Sequence, residues 1–542
     1  MQQPVKRWVI GGVVIALVAG AVVEVSAIRR DRARRESRRE AVALVDAWMS
    51  RWSRSDWRGL RRLAEAPPSS FERTYSDAAT TLGIQQAHYR RGPVRFEGDD
   101  PGATFTAELQ LEGFGPYRYD VRLPIRRRDG TWRVRWTPAV LHPQLTAGRR
   151  FDRARRFAPR AGLLDSAGAA LDARDPDLST IVGPVGKATA AQAAALGAPY
   201  RAGDVVGQSG LQAAFERQLA GEPASELRVV EANGAVVETL LQTAGAQPQP
   251  VQTGIDVRVQ QLAGQALQGV TQPAALVAID APSGEVRAVV SRPAGGFPRA
   301  LQGRYPPGST FKIVTATAAL STGQSPDGSV SCPPEVVVGG RRFVNAEGEA
   351  FGPIPFRTAF FRSCNTAFIN VATRLPADAI GVAAATFGFG GYDLPVPAFT
   401  GRFPPPRDVV ERAAAAIGQA RVEASPLHMA SVAAGVSSGT WRAPRLVRSA
   451  PPGPEKPISV APTLRELMRL VVTSGTGTAA NIAGAPVYGK TGTAEFGTRQ
   501  PPQTHAWFVG FRNDLAFAVL VEGGGFGGEV AAPLAARFLQ SL

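Results

Sequence analysis

Tyr305-Pro306-Pro307-Gly308-Ser309-Thr310-Phe311-Lys312-Ile313-Val314 runs from a turn-forming Pro-Pro-Gly into an apolar helical segment. Ser309 and Lys312 stand three residues apart at that junction, which puts them on one face of a helix, one turn apart. Serine at a helix start is a favoured N-cap. The same place also suits a nucleophile. A lysine amine whose pKa is depressed by burial accepts the serine proton. The backbone N–H of Ser309, in the positive field of the helix start, suits a developing oxyanion. The use of lysine supports this second reading. Only five of the 61 Lys+Arg residues are lysine: Lys6, Lys187, Lys312, Lys456 and Lys490. Arginine serves wherever a plain positive charge is enough, and only lysine can give its proton up.

Two further stretches extend the pattern. Lys490-Thr491-Gly492-Thr493 lies in a run, Val487 to Phe496, that reads as a strand able to pass beside the Ser309 helix. Lys490 offers a cation, and Thr491 and Thr493 offer hydroxyls suited to a carboxylate. Gly492 is expected to let a substrate backbone approach closely. Between the two motifs stands Ser363-Cys364-Asn365, heading an apolar helix from Thr366 to Thr373. Ser363 suits a proton relay and Asn365 an amide clamp, and a helix N-cap is compatible with both. A lone S-x-x-K or S-x-N means little, so the order of the three motifs carries the reading.

Around them, 542 residues are too many for one core. Residues 36–146 read as a small α+β domain. Val42, Val45, Trp48, Met49 and Trp52 recur at helical steps within Glu40 to Leu63. Strand-like runs follow at Ala103 to Leu111, Tyr117 to Ile125 and Thr131 to Trp136, the last opened by the turn Asp129-Gly130. Residues 147–252 are mixed and Arg/Ala-rich. From residue 253 strands come first (Ala274 to Asp280, Glu285 to Ser291), then a helical block, then strands again (Val487 to Phe496, Ala506 to Phe511, Leu515 to Glu522). That order predicts an antiparallel sheet flanked by helices. The unbroken apolar run Ala516 to Val521 is expected to be its central strand.

The formal net charge is +16, but the arginines are dispersed and no nucleic-acid motif accompanies them, so no nucleic-acid partner is expected. Four histidines (His88, His142, His428, His505) and two cysteines lack metal-ligand spacing, so neither metal nor cofactor is expected. His505 is placed at most at the site's rim. Cys332 and Cys364 are open to two readings, free thiols or a bridge that braces the second motif. Near the amino terminus, Lys6-Arg7 precede the apolar run Trp8 to Val23, and seven arginines follow between Arg29 and Arg39. Residues 1–35 are read as an uncleaved membrane anchor with a basic juxtamembrane segment, with cleavage after Ala27 as the alternative. The flanking charges alone would hold the large domain in the cytoplasm. Long domains can translocate regardless of flanking charge, and the large domain is expected outside.

On these motifs the chain resembles class B penicillin-binding proteins, the peptidoglycan D,D-transpeptidases. Tyr305 to Lys312 resembles the family's nucleophile segment, Ser363-Cys364-Asn365 its second motif and Lys490-Thr491-Gly492-Thr493 its third. Ala416-Ile417-Gly418-Gln419 with Ser425-Pro426-Leu427 resembles its Gly-Gln loop. Gly207 to Leu211 and Thr253 to Asp256 resemble the close of its dimerisation domain and the entry to its catalytic domain. Trp132 to Pro143 resembles the end of the NTF2-like domain of the methicillin-resistance type. The resemblance implies a multidomain α+β chain. Its parts are an N-terminal membrane anchor (1–35), a small NTF2-like domain (36–146), a dimerisation-type domain (147–252) and a β-lactamase-like serine acyltransferase domain (253–542).

It also implies Ser309 as nucleophile, Lys312 as base, Ser363 and Asn365 as relay and substrate binder, and Lys490, Thr491 and Thr493 around the substrate carboxylate. The N–H groups of Ser309 and Thr493 become the oxyanion hole. Peptide stems ending in D-Ala-D-Ala are the implied substrates, β-lactams the mimics, the bacterial cell membrane the location and a SEDS-family glycan polymerase a partner. Two departures bear on the alternatives. Cys364 replaces the Asp of S-D-N β-lactamases, and no Glu-bearing deacylation motif follows Asn365. Both weigh against a β-lactamase or D,D-carboxypeptidase, and the intact motifs weigh against a sensor or non-catalytic scaffold.

Overall fold

The computed structural model describes residues 6–451, 453–497 and 502–542, with side chains described from residue 24. It divides into two compact units. One is Met1–Ala158 with Glu222–Gln247, and the other is Pro159–Gly221 with Pro248–Leu542.

In the first unit, helix α1 (Lys6–Ser53) is followed by α2 (Trp57–Leu63) and α3 (Phe71–Leu82). Four antiparallel strands come next in sequential order: β1 (Ile84–Arg95), β2 (Gly102–Leu111), β3 (Gly115–Arg128) and β4 (Thr131–Val134). The helical periodicity of Glu40 to Leu63 is interrupted. Ser55 takes a left-handed φ of 55°, and Asp56 starts α2 by accepting the N–H of Gly59 at 2.8 Å. On β2, Phe105, Ala107, Leu109 and Leu111 are buried, and on β3 Val121, Leu123 and Ile125. These period-2 stripes meet Val45, Trp48 and Trp52 of α1 in one core. Strand β1 is absent from the sequence-based expectation because its Gln, Arg and Gly break any apolar alternation.

Residues 147–252 do not share one core. Strands β5 (Arg150–Arg156), β6 (Ala224–Val230) and β7 (Val236–Thr243) form a three-stranded sheet in the order β7-β6-β5. Phe151, Leu227 and Val229 project from it into the core of the first unit. The arginines between them hide the strand pattern in the sequence. Residues 159–221 belong to the other unit, where Leu163–Leu164 pair in parallel with Val251–Gln252, and Arg292 forms an ion pair with Asp177.

The expected anchor, Trp8 to Val23, falls on residues whose side chains lie outside the described ones. Among the described residues no helix is long and apolar enough to cross a membrane.

The second unit is built on a five-stranded antiparallel sheet. It contains β8 (Ala274–Asp280), β9 (Val286–Arg292), β10 (Val487–Phe496), β11 (Gln503–Arg512) and β12 (Leu515–Val521), in the order β9-β8-β12-β11-β10. The apolar run Ala516 to Val521 is indeed the middle strand. Alternation sorts its neighbours. Ala275, Val277 and Ile279 of β8 join the large core with helices α7 (Pro426–Ser438) and α8 (Ala461–Ser474). Ala274, Leu276 and Ala278 face the other way, toward Phe538 and Leu539 of the C-terminal helix α9 (Ala531–Ser541). Both sheet faces are dry, which explains the continuous apolar strands. Helix α7 is apolar nearly all round because it is buried all round. Strand β10 is one of the two edge strands, and it carries the Lys490-Thr491-Gly492-Thr493 motif.

Candidate active site

Ser309 does not open an α-helix. Gly308–Phe311 form a 3₁₀ turn that hands over to α4 (Lys312–Ser321). In a 3₁₀ turn residues i and i+3 eclipse, which brings the Lys312 Nζ to 3.1 Å from the Ser309 Oγ. The turn is held from several sides. Gly308 has φ +52° and donates its N–H to the Gly418 carbonyl at 3.0 Å. The Trp507 indole N–H donates to the Pro306 carbonyl at 3.2 Å. Tyr305 donates its hydroxyl to Glu522 at 2.6 Å.

Gly492 faces this turn and not the substrate side. A Cβ there would lie 2.8 Å from Thr310 Cγ2 and 3.0 Å from both the Pro307 carbonyl oxygen and Trp507 Cβ. Its small size thus lets the nucleophile turn lie against β10. Lys490 and Ala494 share that face of the strand by the two-residue period.

The second motif follows the short helix α5 (Phe356–Phe361) and precedes α6 (Asn365–Ala372). The cap of α6 is Cys364, whose sulfur accepts the N–H of Ala367 at 3.3 Å. Cys364 is bonded to Cys332, so the bridge, one of the two readings open in the sequence, is the one present. Ser363 stands in the left-handed region at φ 60°. A non-glycine residue held there costs roughly 1–3 kcal/mol and persists only where its surroundings enforce it. The conformation turns both polar groups of Ser363 onto the amines. Lys312 Nζ donates to the Ser363 carbonyl at 2.5 Å and to the Asn365 Oδ1 at 2.7 Å, and it lies 3.3 Å from the Ser363 Oγ. Lys490 Nζ donates to the same Oγ at 2.8 Å and to the Thr491 carbonyl at 3.0 Å. Ser363 therefore links two amines that sit 178 residues apart in sequence.

A neutral Lys312 fits its hydrogen-bond partners. Two of its neighbours, the Ser363 carbonyl and Asn365 Oδ1, can only accept. A neutral amine has two hydrogens, and these two acceptors use both. The lone pair is then left for the Ser309 hydroxyl. Electrostatics agrees. Lys312 is 0% exposed. Burial first, and then the charge of Lys490, hold its pKa well below the usual amine range, while Glu349 opposes the shift. Burial also pushes Lys490 down, to about 7. Arginine could not meet the demand on Lys312.

On the other face of β10, Thr491 is buried and Thr493 half-buried. The Thr491 hydroxyl meets the hydroxyl of Thr476, and the Thr493 Oγ1 accepts the N–H of Gly527 at 3.4 Å. Neither Thr476 nor the Gly-rich loop after β12 was expected from sequence. Their only signal is a run of glycines and threonines without periodicity. His505 is removed from the amines. It stacks on Phe496 at 3.9 Å at the far end of the β10–β11 hairpin, and burial depresses its pKa to about 4.

Three family models match the chain. A model of the penicillin-binding protein transpeptidase domain matches residues 274–540, that of the penicillin-binding protein dimerisation domain 174–258, and that of the NTF2-like N-terminal transpeptidase domain 40–149. The peptidoglycan D,D-transpeptidase PbpA of Mycobacterium tuberculosis is 32% identical over 364 residues, covering 54% of this chain and 72% of that protein. The chain belongs to the penicillin-binding protein transpeptidases. Within this family, MrdA of Acinetobacter baumannii is 27% identical over 407 residues, 61% of this chain and 60% of its own. Penicillin-binding protein A of M. tuberculosis, solved as an imipenem acyl-enzyme complex, superposes with a TM-score of 0.50 at 28% identity, over 55% of this chain and 80% of its own. Pseudomonas aeruginosa PBP2 shares the fold over 72% of this chain and 96% of its own, with a TM-score of 0.60 at 23% identity. Lys312 and Lys490 meet at Ser363, and Lys312 brings Ser309 and Asn365 to the same place.

Proposed function

We propose that this protein is a peptidoglycan D,D-transpeptidase acting through an acyl-enzyme on Ser309. The observation that carries the reading is the buried Lys312 amine, which meets two obligate acceptors, the Ser363 carbonyl and Asn365 Oδ1, and lies 3.1 Å from the Ser309 hydroxyl. Ser309 Oγ passes its proton to Lys312 Nζ and attacks the carbonyl of the penultimate D-Ala. The negative charge on the carbonyl oxygen is met by the N–H groups of Ser309 and Thr493. The C–N bond then breaks, and the departing D-Ala amine takes the proton from Lys312 by way of the Ser363 hydroxyl. Asn365 aligns the donor peptide. Lys490, Thr491 and Thr493 hold its terminal carboxylate. A stem-peptide amine next attacks the ester, its proton returns through Lys312 to Ser309, and the cross-link is released.

A β-lactam acylates Ser309 by the same steps, but its leaving amine stays tethered in the opened ring and obstructs the acceptor. Cys364 in place of the Asp of S-D-N β-lactamases, and the lack of a Glu-bearing deacylation motif after Asn365 in the sequence, favour a long-lived adduct over hydrolysis. Labelling with a fluorescent penicillin tests this. One persistent adduct per chain is expected. Rapid turnover of the label points to a β-lactamase, and no label at all points to a scaffold.

The two lysines also predict a pH profile. The second-order acylation rate reports the free enzyme. Its pKa being depressed, Lys312 is neutral above that pKa and regains its proton as pH falls, so the rate drops on the acid side. Lys490 is a cation below about 7 and loses its charge above it, so the rate drops again on the alkaline side. Lys490→Arg keeps the charge and is expected to remove the alkaline limb. A falling limb retained near 7 in that variant, measured against penicillin labelling from pH 5 to 10, would falsify the assignment to Lys490.

The apolar run Trp8 to Val23 supports anchoring at the bacterial membrane, and the cell-wall substrate supports a catalytic unit outside the cytoplasm, against the pull of the arginines that follow the run. Cross-linking acts on newly polymerised glycan, which makes a SEDS-family polymerase the partner class that this reading favours.

A further inference from the structure

Three hydroxyls cluster on the face of β10 away from the nucleophile turn: Thr491 and Thr493 of the strand, and Thr476, which follows α8. Thr476 Oγ1 lies 2.5 Å from Thr491 Oγ1, so one of the two must donate to the other. Such a pair spends one proton internally and keeps one free. The Thr493 Oγ1 accepts the Gly527 N–H at 3.4 Å. That leaves its own proton free as well. The cluster thus offers two uncommitted O–H donors, as many as a carboxylate has oxygens. Thr491 is 5% exposed, whereas Thr476 is exposed and stands at the mouth. An anion coming from solvent meets the pair on the Thr476 side.

Thr476 is also tied to the rest of the machinery. Its N–H donates to the Phe361 carbonyl at 3.3 Å, two residues before Ser363. A Cβ on Gly475 would lie 2.4 Å from that same carbonyl oxygen, and one on Gly528 2.3 Å from the Thr476 carbonyl oxygen. The Thr476 backbone is thus packed between the second motif and the Gly-rich loop. The Lys490 amine, which donates to the Thr491 carbonyl at 3.0 Å, supplies the positive charge beside the pair.

We propose that Thr476 completes the substrate-carboxylate site, its hydroxyl acting with Thr491 as one donor and Thr493 acting as the other. The inference rests on the transpeptidase reading above and assigns that site a residue outside its three motifs. The test compares acylation of the full chain by benzylpenicillin, which bears the carboxylate, and by benzylpenicillin methyl ester, which does not. Thr476→Val keeps the side-chain shape and removes the hydroxyl. It is expected to slow acylation by benzylpenicillin about 10- to 100-fold and to leave the slow acylation by the ester within about twofold. Thr476→Ser keeps the hydroxyl and is expected to restore the benzylpenicillin rate. Equal slowing on both compounds, or no slowing on either, overturns the inference. A Thr476→Ser variant as slow as Thr476→Val overturns it too. A wild-type protein that benzylpenicillin does not acylate sinks the transpeptidase reading itself, so the two failures are told apart.

Discussion

Lys312→Arg is expected to lower the acylation rate about 10³-fold or more, within the range that removal of a positioned general base produces. The guanidinium keeps its proton under all working conditions and has no lone pair to offer Ser309. It is also too large for a place where the amine is 0% exposed and already touches the Ser363 carbonyl, Asn365 Oδ1 and the Ser309 hydroxyl. Lys490→Arg supplies the contrast. Lys490 donates to Ser363 and to the Thr491 carbonyl as a cation. Its replacement keeps the charge, so a loss of about tenfold is expected. The comparison is made by stopped-flow or gel-based acylation, with melting curves to confirm that both variants fold. Equal losses would break the division of labour between the two lysines.

Ser309→Ala is expected to abolish the covalent adduct altogether, read as the absence of a mass increase after incubation with penicillin. The fold should tolerate it. Ser309 is half-buried in a short turn fixed by backbone and neighbouring contacts. Substitutions at such places usually change stability by about 0.5 kcal/mol or less. Lys312 retains its two carbonyl-type acceptors in the variant, so no buried donor is stranded. A persistent adduct would move the nucleophile elsewhere. Ser363 would be the first place to look, since its hydroxyl lies between the same two amines.

How far the sequence reaches differs from element to element. Strand β10 was legible residue for residue, Val487 to Phe496, because glycine, threonine and apolar residues leave few other options. Strand β12 announced itself as central by its unbroken apolar run. Strands β1 and β5 were not legible, since their arginines interrupt the apolar alternation, on β5 even on the face of Phe151, where Arg153 stands. The break in the first long helix was hidden too. Asp56 caps the new helix, but the apolar spacing runs on across it. At the site, all three motifs could be named in advance. Thr476 could not, because a threonine after a helix end carries no mark of what it will touch.

The order and identity of Ser309, Lys312, Ser363, Asn365, Lys490 and Thr493 were determined by the sequence alone, since they are covalent facts and their chemistry follows from residue type. Folding decided how those groups are used. It buried both lysines, and the loss of water is the main cause that lowers their pKa values. It put Ser363 in a left-handed conformation that local preference disfavours and that the two amines and the bonded Cys364 surround. It turned Gly492 toward the nucleophile turn and Thr491 toward Thr476. Each of these depends on atoms brought together from tens to hundreds of residues away, and local spacing carries no record of such contacts.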